Sequence, residues 1–114
     1  MSVRYQIRLP DPAQARGSEP TLAFSAHGAD AFAEQLQDAL RSTALFERWR
    51  ALQPEPDEVD PALGATDPSA SVIGEQLDLS IGLVATTTLP GSILQHRLRL
   101  LAGNHWEIRN VSQA

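Results

Sequence analysis

The sequence predicts an α+β fold, a two-layer sandwich. An antiparallel sheet of about five strands carries one helical segment packed on one of its faces. Three observations predict it. The first residues alternate apolar and polar side chains, a segment of helical period follows Gly28, and the last third of the chain alternates again between turn residues. The element order read this way is β-β-α-β-β-β. It forms one domain over 1–114, a length that suits a single hydrophobic core.

The first strand is the plainest. Val3, Tyr5, Ile7 and Leu9 alternate with Arg4, Gln6 and Arg8, so one face is apolar and the other basic. Residues 10–20 hold two X-Pro steps, Gly17 and Pro20, and read as a loop. Residues 21–26 (TLAFSA) read as a second short strand with Leu22 and Phe24 inward.

The helical segment runs from Ala29 to Leu52. Phe32, Leu36, Ala39 and Leu40 recur at spacings that place them on one helix face. Asp30 and Glu34 sit near the positive end of the helix dipole. Ser42-Thr43 interrupts the pattern. The spacing allows either a kinked helix or two helices, with one of these residues capping a second segment that carries Leu45, Phe46 and Trp49.

Residues 53–70 form an acidic, Pro-rich connection. Pro54, Pro56, Pro61 and Pro68 are interspersed with Glu55, Asp57, Glu58, Asp60 and Asp67. A connection this long inside a small domain is expected to be mobile or functional. Asp60-Pro61 can open a single helical turn ending at Gly64.

The C-terminal third reads as three strands. In the first, Leu77, Leu79, Ile81, Leu83 and Ala85 alternate with Gln76, Asp78, Ser80, Gly82 and Val84. Leu89-Pro90-Gly91-Ser92 makes a turn. In the second strand Leu94, Leu98 and Leu100 alternate with Gln95, Arg97 and Arg99, and His96 falls on the inward side. Ala102-Gly103-Asn104 reads as a hairpin loop. The last strand, His105 to Val111, places Trp106 and Ile108 inward and Glu107 and Arg109 outward.

Composition narrows the chemistry. The chain has no Cys, so it builds no disulfide and no thiolate site. Its glycines are scattered and form no phosphate cradle or dinucleotide fingerprint, so no cofactor is implied. The acidic run lacks the ligand spacing of a calcium loop, so no metal is implied. Ser25 or Ser92 beside one of the histidines lacks both the nucleophile-elbow spacing and an orienting third group. No run of apolar residues spans a bilayer or forms a leader, so a cytoplasmic protein without membrane contact is expected.

Strand parity gathers Arg4, Arg8, Arg97, Arg99 and Arg109 on the outward face of the sheet. A guanidinium face of this kind recognises carboxylates or phosphates. The expectation is a non-enzymatic interaction or adaptor module. It would bind an unidentified protein partner, or a second copy of itself, through the Arg-bearing face or an unpaired edge strand. The alternative is a ligand-binding protein or small enzyme with a site between helix and sheet near His96, Trp106 and Trp49. Nucleic-acid binding ranks last, because Tyr5 and Trp106 point inward and leave no stacking platform.

Charge is unevenly spread. The chain carries nine Arg, no Lys and a net charge of −5. Between Ala51 and His96 there are seven acids and no basic residue, a segment of −7, so the remainder carries +2. An acidic partner, or the protein's own acidic span, is therefore expected on the Arg face.

Overall fold

The computed structural model describes residues 2–114. It forms a four-stranded antiparallel sheet and a layer of three α-helices. The order is β1 (Val3–Leu9), α1 (Ala29–Arg41), α2 (Ala44–Ala51), β2 (Ser71–Leu77), β3 (Ser80–Thr87), α3 (Gly91–Ala102) and β4 (Glu107–Gln113). The spatial order of the strands is β2-β3-β1-β4. The first strand of the chain is thus central, paired on one side with β3 and on the other with β4.

The α+β class and the antiparallel sheet match the sequence reading, with four strands rather than five and three helices rather than one segment. The core lies between sheet and helices. Tyr5, Ile7 and Leu9 of β1 and Ile81, Leu83 and Ala85 of β3 meet Phe32, Leu36 and Leu40 of α1 and Leu94 and Leu98 of α3. Each such fully buried Leu, Ile or Phe contributes roughly 1.5–3 kcal/mol relative to exposure.

Ser42-Thr43 separates two helices. Ser42 is extended (φ −132°, ψ 166°), and its side chain accepts from the Ala44 N–H at 3.5 Å. Residues 21–26 are not a strand. Leu22, Phe24 and Ala26 are buried, as the alternation predicts, but no strand lies beside them. Their neighbour is the C-terminal end of α3, where the Leu101 carbonyl accepts from both Gly17 N–H (3.0 Å) and Phe24 N–H (2.9 Å). The Phe24 N–H, expected to pair in a sheet, instead satisfies a helix carbonyl.

The largest correction is residues 91–102, a helix where a strand was expected. Alternation of Leu94, Leu98 and Leu100 mimics period two. The buried set is Ile93, Leu94, Arg97, Leu98, Leu101 and Ala102, adjacent pairs repeating every four residues, which is a helix stripe. Pro90 stands at its start. Gly103, at φ 66°, stops it in a conformation that glycine adopts without strain. The expected hairpin loop at 102–104 is this helix end.

The expected single strand over 76–85 is a hairpin, β2 and β3, joined at Asp78-Leu79. Asp78 sits at φ 60°, a region that Asp tolerates in tight turns. A two-residue turn changes which parity faces the core. Leu77 pairs with Ser80 on the open face, whereas Ile81 points inward.

The acidic connection is a structured strap on the helix layer. Its two single turns of 3-10 helix cover Pro56–Glu58 and Pro61–Gly64, the second opened by the Asp60 carboxylate accepting from Ala62 N–H at 2.9 Å. Arg50 Nε donates to the Pro56 carbonyl at 3.0 Å, and its guanidinium lies 3.6 Å from Asp57. Arg41 Nε donates to the Ala70 carbonyl at 2.6 Å. The Asp67 N–H donates to the Leu40 carbonyl at 2.8 Å. The expectation that this span occupies the sheet's Arg face is corrected by these contacts, which all lie with α1 and α2.

Candidate functional site: the open sheet face

The helices cover one face of the sheet, and strand parity builds the other. Register places Ser71, Thr86, Arg4 and Ser112 in one row across the four strands. Ile73, Val84, Gln6 and Asn110 form the next, and Glu75, Gly82, Arg8 and Glu107 the third. A bulge between Gln6 and Ile7 of β1 lets β4 contribute the extra residue Arg109 to this face.

Three of the five expected arginines therefore meet here. Arg8 Nε donates to Ser80 Oγ at 3.4 Å, and its guanidinium lies 3.9 Å from Glu107. Arg109 donates to Glu107 at 2.9 Å. Arg4 has no ion-pair partner among the described residues. These are exposed pairs, worth about 0–1 kcal/mol each, so their charge remains available to a ligand.

The face is also apolar in a way the sequence reading missed. Ile73 is 69 % exposed, with Leu77 and Val84 near it on the same face, and Leu79 is exposed in the adjoining turn. Gly82 has no side chain, and Leu77 folds toward the space that a Cβ would fill. A shallow depression of about 520 Å³ results, floored by Val84 and Gly82 and bordered by Ile73, Leu77, Arg8 and Arg109. The Asp78-Leu79 turn was the available signal, since it inverts the parity of Leu77 relative to Ile81.

Arg97 and Arg99 belong elsewhere, because residues 91–102 are helical. Arg99 is exposed on α3. Arg97 is 0 % exposed and faces the core. Its guanidinium donates to the carbonyls of Ala39 (2.8 Å), Leu63 (2.7 Å) and Ala65 (2.7 Å), tying the end of α1 to the acidic connection. Carbonyls in the last turn of a helix carry the negative end of its dipole and suit a cation. Burial pushes the guanidinium below its ordinary value, yet it stays charged at neutral pH.

Asp67 anchors the far end of the same connection. It is 5 % exposed and accepts from Thr88 N–H, Thr87 Oγ1, Ser69 N–H and Ser69 Oγ at 2.7–3.0 Å. The Thr88 N–H, followed by the Ser69 and Thr87 donors, holds its carboxyl well below the usual carboxylate range against the opposing effect of burial.

Of the alternative site, the structure joins two residues. Trp49 and His96 meet edge to face, with ring centroids 4.6 Å apart. Trp106 is engaged differently, its indole N–H donating to the Gly103 carbonyl at 2.8 Å. His96 Nδ1 is buried without a hydrogen-bond partner. Burial, then the nearby Arg97 and Arg99 charges, lowers the His96 pKa and keeps the ring neutral at pH 7. A neutral ring packed edge to face on an indole is a packing arrangement. Among the described residues no three His, Asp or Glu side chains converge as metal ligands, and no helix is long and apolar enough to cross a membrane.

The chain matches no known protein family, no curated protein and no solved structure.

Proposed function

We propose that the protein is a non-enzymatic interaction module. Its open sheet face docks a partner segment that combines apolar side chains with carboxylates. One observation carries this reading: an uncovered antiparallel face places Ile73 and Leu77 around one depression with Arg8 and Arg109, with Arg4 in the adjoining row of the same face. Exposed apolar residues rimmed by charge mark docking surfaces more often than bare solvated faces. Arg supplies bidentate bonds to carboxylates, and the aliphatic residues supply desolvated area.

Panning a random peptide library on the immobilised protein tests it. Enriched peptides should combine Leu, Ile or Phe with Asp or Glu, and the Arg4→Glu, Arg109→Glu double variant should lose them. Enrichment of basic peptides, or equal capture by the double variant, would overturn the reading.

A further inference from the structure

The two edges of the sheet are treated differently by the fold. The outer edge of β2 is shielded. Val72 N–H donates to the Gln37 side chain at 3.1 Å, and α1 runs alongside. On the helix-side face, Gly74 lets the Ala29 carbonyl of α1 approach more closely than any Cβ would allow, which packs α1 against this strand. The Gln37 bond is an edge-blunting device, because it occupies an outward main-chain N–H. On the opposite side, β4 has β1 as its only strand neighbour among the described residues.

β4 itself divides in two. Its first half carries Glu107, Arg109 and the bulge, each of which discourages strand addition. Its second half, Asn110 to Ser112, is regular, uncharged and free of Pro. Which main-chain groups face outward follows from the ladder. Ala114 N–H donates to the Ser2 carbonyl at 3.2 Å, continuing the register in which Gln113 faces Val3. Antiparallel alternation then turns Ser112 and Asn110 toward β1, and turns Val111 N–H and C=O toward the free edge. The Val111 side chain shares the helix-side face with its partner Tyr5, but the helices do not reach it and it is 54 % exposed.

We propose that β4 pairs with β4 of a second copy of this chain about a two-fold axis at Val111, giving a continuous eight-stranded sheet. A second copy is the occupant because this register is self-compatible. Val111 meets Val111, exchanging both main-chain hydrogen bonds and burying two exposed apolar side chains. Asn110 meets Ser112. Arg109 falls opposite Gln113, so no like charges face each other across the axis. The proposal is independent of the sheet-face reading, since it uses the strand edge and the helix-side face.

Sedimentation over a concentration series measures it. The wild type should shift from 12.4 kDa to twice that mass as concentration rises. Val111→Arg sets two like charges on the axis and should weaken the dimer by about tenfold or more, with an unchanged circular dichroism spectrum. Val111→Pro removes only an outward N–H, so it should fold and remain monomeric. Val111→Ile should retain the dimer. Amide exchange adds a local readout: the Val111 N–H should be slow in concentrated protein and fast in dilute protein. A wild type that stays monomeric throughout, or a Val111→Arg variant that dimerises normally, overturns the proposal. A wild type that dimerises but captures no peptide would count against the sheet-face reading alone.

Discussion

The arginines of the open face and the arginine beneath the acidic connection obey opposite physics. Arg4, Arg8 and Arg109 stand in water, and their pairs with Glu107 or Ser80 are long or exposed. Arg97 is sealed away from water and bonded to three carbonyls, with no carboxylate among its hydrogen-bond partners. A buried cation must be satisfied by fixed dipoles or the structure opens. An exposed cation is satisfied by solvent and costs the fold little. Arginine content therefore says nothing about role until burial is known. In this chain the buried guanidinium organises the loop, whereas those of the open face stay in contact with solvent.

The largest expected break in this contrast is Arg97→Ala. It leaves three carbonyls without their donor and a cavity among α1, α3 and the connection, so it should cost about 3–5 kcal/mol. Urea denaturation reads the loss, and limited proteolysis should show new cleavage within 53–70. A cost below about 1 kcal/mol would mean that water replaces the guanidinium and that the two arginine classes differ less than their burial implies.

Asp67→Asn comes next. The carboxylate accepts four hydrogen bonds, two of them from N–H groups, and the amide reproduces only some. A loss of about 1.5–3 kcal/mol is expected near pH 7. The pH dependence supplies the sign. Asp67 has a lower pKa folded than unfolded, where it returns toward the ordinary 3.8. Its stabilisation is complete above that value and is lost as pH falls below it. The wild type should therefore lose stability more steeply than Asp67→Asn as acid is added below pH 4. Parallel curves for the two proteins would remove Asp67 from the acid response.

The smallest effect on stability is expected at the open face. The Arg4→Glu, Arg109→Glu double variant should change stability by only about 0.5 kcal/mol per site while abolishing peptide capture. A loss of several kcal/mol would show that these side chains hold the sheet together, which would collapse the contrast from the other side.

Much of the sheet was legible in the sequence because it depends on local alternation. β1 and the inward placement of Ile81, Leu83 and Ala85 follow from period two, and the α1 stripe follows from period 3.6. The turn at Asp60-Pro61 followed from proline stereochemistry. Reading α3 as a strand displaced Arg97 and Arg99 from their true positions. Its stripe contains a charged residue, and the eye counts Arg97 as outward. Three carbonyls supplied by residues up to 58 positions away make that burial tolerable, and nothing local announces them. The apolar half of the open face was hidden by one two-residue turn.

By itself, then, the sequence determined the α+β class, the apolar faces of β1 and α1, the break near Ser42-Thr43 and the concentration of negative charge between Ala51 and His96. These rest on periodicity, backbone stereochemistry and composition, all short-range properties. Tertiary structure decided the rest. It placed the first strand at the centre of the sheet, turned an alternating segment into α3 and buried Arg97. It drew the acidic connection onto the helices, away from the open face, and shielded the β2 edge with Gln37 while leaving Val111 outward on β4. Each of these depends on which distant group satisfies a backbone carbonyl, a backbone N–H or a buried charge, and that pairing exists only once the chain has folded.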